Sequence, residues 1–426
     1  MGNHALLAIG IFLVAYGFII SEKIHRTIIA LLGASALLFF GVIDQATAIR
    51  HIDFNTLGLL IGMMIIVSIT SQTGLFRFVS IWAARKVDGQ PFALLVIFSL
   101  IAAFGSAFLD NVTTVLLIAP VTFSIARQLK MSPVPFLMSE ILMSNIGGTA
   151  TMIGDPPNIM IGSAVKSLSF IDFITNLAPV IVLIIIAVLI LLSFIYRNSL
   201  NGRPDAREVL AGLDAREEIT DPVLLAKSLI VLILTVIGFF LHQMLGVETA
   251  TIALSGAFLL LLLTGERYLE KALSDVEWTT IFFFIGLFVL VGGLVETGVM
   301  TRLAHGALDL TDGEPLPTTF LILWMSGIVS SFVDNIPFVA TMIPLIKDMG
   351  EMGMTNLEPL WWSLSLGACL GGNGLLIGAS ANLVVAGIAG KEGHPITFIG
   401  FMKIGLPVML LSLVISTLYV YFRYLM

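Results

Sequence analysis

Cysteine occurs once in the 426 residues, at Cys369. A single thiol excludes an internal disulfide and any thiolate metal cluster within the chain. Charge is scarce too: Asp, Glu, Lys and Arg make up 12% of the sequence, against about a quarter in soluble domains, while 58% is hydrophobic. No polar stretch is long enough to form a soluble domain. The histidines exclude little more chemistry, because His51, His242, His305 and His394 fall near loops, which argues against a histidine metal site. No catalytic dyad or metal-ligand spacing appears, so an intramembrane enzyme and a resident cofactor are not expected. The net charge of −7 carries little weight, since in a membrane protein the placement of Lys and Arg matters more than their sum.

What fills the chain instead is uncharged apolar sequence, in runs such as Pro179–Leu192, Ser228–Leu241 and Phe258–Leu263. Their spacing suits helices rather than ten-residue barrel strands, which predicts an all-α polytopic membrane protein. Residues 5–20 lack the positive flank and small-residue cleavage site of a signal peptide and read as the first span. Further spans are expected at 27–43, 54–72, 134–165, 175–196, 223–242, 248–264, 277–296, 359–390 and 402–422, making about ten crossings. The spans at 134–165 and 359–390 are broken helices. In the first of them NIGGTATMIGDPPN (145–158) sets Gly147, Gly148 and Gly154 before Pro156 and Pro157, which cannot continue a helix but can begin one. Unwound backbone at membrane depth is tolerated where it is buried in protein or lines a cavity, so this stretch is the first candidate for a transport site.

Two more apolar segments, 91–128 and 316–349, are interrupted by Asp110-Asn111 and Asp334-Asn335 and read as re-entrant hairpins whose arms are each too short to span. Amphipathic surface helices at 75–90 and 297–312 precede them. Asp110 and Asp334 lie 224 residues apart, and the same offset carries Gly147-Gly148 to Gly371-Gly372, Ile153-Gly154 to Ile377-Gly378, Pro120 to Pro344 and Asn158 to Asn382. The chain is therefore a duplication: a first repeat at 1–196, a polar cytoplasmic linker at 197–221 and a second repeat at 222–426. Five crossings per repeat invert the second copy relative to the first. Sixteen of the 21 Lys and Arg then fall on one side and five on the other. That excess makes the first side cytoplasmic and places both termini outside an inner (plasma) membrane.

An inverted repeat brings hairpin tips and helix breaks together near the midplane, so the transport elements are expected at 91–165 and 316–390 with the remaining spans as scaffold. Asp110 and Asp334 are the expected sites for a coupling proton or cation, because a carboxylate at that depth is costly unless paired, capped or functional. The alternative is that each only caps a half-helix. Asn111, Asn145, Thr149, Thr151, Asn158, Asn335, Asn373, Ser380 and Asn382 are the expected substrate-binding groups. Asn158 and Asn382 could equally tie the break to the hairpin tip. Asp155, directly before two prolines, is best placed as a helix cap, with Ser380 as its stand-in in the second repeat. No Lys or Arg is expected among these groups, which argues against a multiply charged anion.

GGTATMIGDPPNIMIG, its companion GGNGLLIGASANLVVAG and the paired Asp-Asn hairpins resemble the arsenite permease/melanocyte P-protein (ArsB/P) family of the ion transporter superfamily, over nearly the whole chain. The resemblance implies an elevator-like secondary transporter built as a scaffold domain and a transport domain. It further implies a homodimer and, by family analogy, an ATPase partner subunit; no nucleic-acid partner is expected. The sodium/dicarboxylate branch carries Ser-Asn-Thr motifs where this chain has Asp-Asn, which argues against sodium/dicarboxylate symport. The resemblance favours proton-coupled efflux of arsenite or antimonite, which are neutral trihydroxides at neutral pH. Sodium/proton antiport and ion-coupled transport of a dicarboxylate or inorganic anion stay open as alternatives.

Overall fold

The computed structural model of the protein describes residues 2–21, 23–197, 200, 206–212 and 214–426, and the regular elements among them are all helical. The first repeat comprises α1 (Asn3–Ser21), α2 (Arg26–Phe39), α3 (Gln45–His51), α4 (Phe54–Ser71), α5 (Leu75–Lys86), α6 (Pro91–Phe108), α7 (Asn111–Gln128), α8 (Val134–Gly148), α9 (Pro156–Ala164) and α10 (Phe170–Tyr196). A short α11 (Ala206–Ala211) lies between the halves. The second repeat comprises α12 (Pro222–Leu245), α13 (Thr249–Thr264), α14 (Leu269–Asp275), α15 (Trp278–Glu296), α16 (Val299–Leu310), α17 (Pro315–Phe332), α18 (Asn335–Glu351), α19 (Glu358–Gly371), α20 (Ser380–Lys391) and α21 (Phe398–Val420). Adding 224 to a boundary in the first half lands on or near its partner in the second: α3 begins at 45 and α14 at 269, α7 at 111 and α18 at 335.

Local sequence sets these boundaries. Gln90-Pro91 and Glu314-Pro315 open α6 and α17 with proline in the first turn, where its missing N–H costs nothing. Asp44, Asp53, Ser169 and Asp221 cap their helices by accepting backbone N–H bonds. On α10 the buried Val180, Ile184 and Val188 follow one face, while Val182, Leu183, Ile186 and Ile190 are exposed on the other. The same exposed spacing recurs on α12 at Ile230, Ile233, Leu234 and Ile237. Apolar residues exposed at helical spacing on helices that each carry a single Asp or Lys near one end are a lipid-facing surface.

Among the described residues eight helices are long and apolar enough to cross a membrane, or nine if α13 is joined to the segment bent by 117° after it, against the ten crossings expected. The difference has a local cause. Helix α2 is only 14 residues long, and the broken pairs α8–α9 and α19–α20 are short in each piece. Conversely, the arms α6 and α17 reach 18 residues, roughly 27 Å of helix, and are longer than the half-membrane segments expected. They still form hairpins. The Phe98 ring meets Phe136 edge-on at 6.2 Å, and Gly147 abuts the backbone of Ala103, so α6 and α8 run in the same direction and α7 must return to the side where α6 began. Gly371 abuts Gly327 in the same way, which gives α17 and α19 the same relation.

The two repeats interlock. Helix α4 packs on α13 and α15 on α2, while the hairpins pack on the broken helices beside α10 and α21. The 197–221 stretch was expected to be a polar linker; Asn198, Ser199, 201–205 and Leu213 of it lie outside the described residues. Its described part is docked rather than free. Ala206, Leu210 and Ala215 are buried, and Thr220 bonds the carbonyls of Gln72 and Thr73 at the α4–α5 turn.

Candidate functional site

The break between α8 and α9 closes on itself. A Cβ on Gly148 would stand 2.5 Å from the Gly154 carbonyl oxygen, and one on Gly378 would stand 2.8 Å from that of Gly372, so both crossings require glycine. The asparagine one turn beyond each break fastens it: the Asn158 amide donates to the carbonyls of Thr149 (3.1 Å) and Thr151 (2.8 Å), and the Asn382 amide to those of Gly372 (2.8 Å) and Leu375 (3.1 Å). Their side-chain oxygens then link the two repeats. Asn382 accepts from Asn145 at 3.0 Å, and Asn158 accepts from Ser365 at 2.5 Å.

Asn145 is the hub of this buried network. It accepts from Asn111 at 2.9 Å and donates to Asn373 at 2.9 Å as well as to Asn382, while Asn373 donates to the Leu142 carbonyl. The first hairpin tip and both breaks are thereby one hydrogen-bonded unit. The hydroxyls of Thr149 and Thr151 bond the carbonyls of Asn145 and Ala107. Fully satisfied networks of this kind rigidify a core.

The two hairpin tips are not equivalent. Asp110 caps α7, accepting from the Thr113 amide at 2.8 Å and from its hydroxyl, and no cation among the described residues pairs with it. Asp334 caps α18 through the Ile336 amide and additionally accepts from Arg26 at 2.5 Å and from Ser380 at 2.9 Å. Arg26, at the start of α2, also bonds Ser380 at 3.0 Å and lies 4.8 Å from the Phe283 ring centre. The cation-free site expected from the sequence is therefore corrected: an arginine stands in it. Sequence spacing concealed Arg26, because 308 residues separate it from Asp334 and only the fold brings the α1–α2 turn over the second tip.

Asp155 does not cap α9 with its side chain, contrary to the expected role. Its carboxylate instead accepts from the Asn335 amide, at 3.2 and 3.4 Å, across the two repeats. Ser380 makes no capping bond either, and its hydroxyl belongs to the Arg26–Asp334 cluster.

Asp110, Asn111, Asp155, Asn335 and Ser380 line one cavity of about 140 Å³, together with Arg26, Glu277 and Thr280. Asp334 lines an adjoining cavity of about 300 Å³ that shares Arg26 and Ser380. Asn145, Thr149, Thr151, Asn158, Asn373 and Asn382 lie behind these walls. Glu277 and Thr280 escaped the sequence reading although a signal existed: the 224 offset relates them to Asp53 and Thr56, and in each pair the threonine hydroxyl donates to the acid, at 2.9 and 2.7 Å. Three acids and one arginine line the smaller cavity and Asp334 the adjoining one, an arrangement that suits binding of a proton or small cation beside an oxygen-rich solute.

Comparison with known proteins agrees with this architecture. A family profile described as "Citrate transporter" matches residues 16–367. An uncharacterized transporter of Mycobacterium tuberculosis is 42% identical over 426 residues, covering 99% of both chains, and a 46 kDa membrane protein of Mycobacterium leprae is 40% identical over 429 residues, again with 99% coverage. The human P protein is 34% identical over 500 residues, and the match covers 98% of this chain and 60% of that protein. Among solved structures, the YdaH transporter of Alcanivorax borkumensis shares the fold, with a TM-score of 0.60, 14% identity and 99% of both chains covered.

Proposed function

The chain belongs to the citrate transporter family, and from that premise we propose that this multi-pass membrane transporter carries a small carboxylate solute coupled to a proton or cation. The observation that carries the reading is Arg26, shared between Asp334, Ser380 and the cavity. A carboxylate solute needs a cationic donor that is free when the solute arrives. In the absence of coupling ions the guanidinium is taken up by Asp334. A proton or cation on Asp334 releases it, so ion binding creates the anion site and an empty carrier keeps it closed. Asp110 and Asp155 hold further coupling charge, and the neutral asparagine network keeps the breaks fixed while charges change. Arg26 comes from α2 and Asp334 from a hairpin tip, so breaking the pair also unlocks the hairpins and broken helices, which slide as an elevator past α2, α4, α13 and α15.

A second reading is favoured by the uncharged part of the site. Asn111 and Asn335 beside the acids could hold a neutral trihydroxide, and proton-coupled efflux of arsenite or antimonite would then leave the Arg26–Asp334 pair as a static lock. Flux into proteoliposomes separates the two. The carboxylate reading predicts citrate accumulation driven by an inward proton or sodium gradient and lost in Arg26→Gln. Proton movement evoked by arsenite and not by citrate would replace it with the second.

A further inference from the structure

We infer that the first hairpin and its broken helix enclose a proton path from the central cavity to Glu140, a second ionisable site that has no counterpart in the other repeat; this rests on the proton-coupled form of the reading above. Glu140 is fully buried on α8, five residues before Asn145. One carboxyl oxygen accepts from the Thr122 hydroxyl on α7, and the other has no hydrogen-bond partner among the described residues. Three more buried hydroxyls in the same α6–α7–α8 core are equally unpartnered: Ser99, Ser106 and Thr114. They are spread between the hairpin tip and Glu140. Ser106 lies beside Gly148 and Thr114 beside Gly105, both near the tip, while Ser99 is a turn below Ala103, which faces Gly147. Buried polar groups without protein partners are normally satisfied by bound water, and a file of such waters conducts protons.

The second repeat supplies the internal control. At the 224 offset Ser99 becomes Leu323, Thr114 becomes Phe338, Thr122 becomes Ile346 and Glu140 becomes Leu364. Ser106 becomes Ser330, whose hydroxyl is satisfied by the Ala368 carbonyl at 2.7 Å. Unpartnered hydroxyls occur in that repeat at Ser326 and Ser363 of the matching α17–α19 core, and at Ser228 and Ser416 outside it, but no unpartnered acid oxygen accompanies them among the described residues. The same helical framework is therefore built with apolar residues in one copy, so packing alone does not demand the polar ones. Of the elements against α8, α6 has no ionisable side chain. Helix α7 has Arg127, which pairs with Glu392, and the others bring Asp172, Tyr196, Glu358, Cys369, Lys391, Lys403 and Tyr419; none of these pairs with Glu140. Arg127 marks the mouth of the hairpin, which the Lys/Arg count assigns to the cytoplasm. Glu140 thus stands between that mouth and Asp110.

Infrared difference spectroscopy of the reconstituted protein tests this directly. A carboxylic C=O band that is lost in Glu140→Gln and retained on Glu140→Asp should exchange in D2O and respond to bulk pH. In the same vesicles Glu140→Gln should keep gradient-free citrate counterflow and lose most proton-driven accumulation, a split that a merely structural residue would not produce. The double variant Glu140→Leu/Thr122→Ile, which copies the second repeat, should fold and behave like Glu140→Gln. A band insensitive to D2O and pH, or wild-type proton-driven flux in Glu140→Gln, overturns the proposal. If a pH gradient drives no flux in the wild type, the proton-coupled reading falls, and the infrared result alone still decides whether Glu140 exchanges protons.

Discussion

At the residue scale the site turns on one ion pair and one carboxylate–amide contact. Replacing Arg26 by Gln leaves Asp334 capping α18 and bonded to Ser380, so the fold should survive while gradient-driven uptake is lost. Replacing both members by alanine should cost less than the sum of the single changes, with a coupling energy of about 1–3 kcal/mol in a thermal-unfolding cycle, because each single change strands a charge. A double cost equal to the sum of the single costs would mean the pair does not interact. Asp155→Asn turns an acceptor that faces the Asn335 amide into a second amide of similar shape, and it should preserve folding while changing the number of ions moved per solute in reversal-potential measurements. Asp110, Asn111 and Asn158 were legible in the sequence because duplication displays each again, as Asp334, Asn335 and Asn382, whereas Asp155, Asn145 and Asn373 stood out only by lying in the glycine-rich breaks. Arg26 was not, since Ala250 stands at its offset position and pattern alone cannot bring the α1–α2 turn to the second tip.

At the scale of elements the broken helices are the rigid part. Asn145 joins the first hairpin to both breaks through three side-chain bonds, and Asn145→Ala leaves Asn111, Asn373 and Asn382 with unmet buried groups. The expected loss is about 3 kcal/mol, read as a lowered melting temperature in detergent. Gly154→Ala drives a Cβ to within 2.5 Å of the Gly148 oxygen, and also of the Ser106 oxygen, on backbone that cannot rotate aside. It should destabilise the break by about 3 kcal/mol or more; an unchanged melting temperature would show that the crossing can relax. The breaks themselves were readable from glycine followed by two prolines. The roles of Asp155 and Ser380 were not, because a residue preceding a helix satisfies the local rule for a cap whether or not its side chain turns back. Here Asn335, and the Arg26–Asp334 pair, offered stronger partners across the repeat axis. Arm length was also misjudged, since the Asp-Asn interruption fixes where a hairpin turns and says nothing about how far each arm extends beyond its mouth.

For the whole molecule, two inverted copies of one pattern have become unequal in their charges. The first repeat contributes Asp110, Asp155 and the buried Glu140, and the second offers Ala379 and Leu364 at the places of the latter two. Acids still reach the cavities from both copies, since Glu277 and Asp334 belong to the second. The class of protein and its duplication were legible because charge scarcity, uncharged runs and a constant offset are properties of the whole chain, insensitive to any one contact. What the carrier moves depends on a handful of side chains whose neighbours come from opposite ends of the sequence. The most direct test is citrate accumulation in proteoliposomes under an imposed ion gradient, wild type against Arg26→Gln, with counterflow measured in parallel. The account predicts accumulation that follows the proton or sodium gradient and disappears in the variant. Accumulation indifferent to both gradients, or undiminished without Arg26, would contradict it.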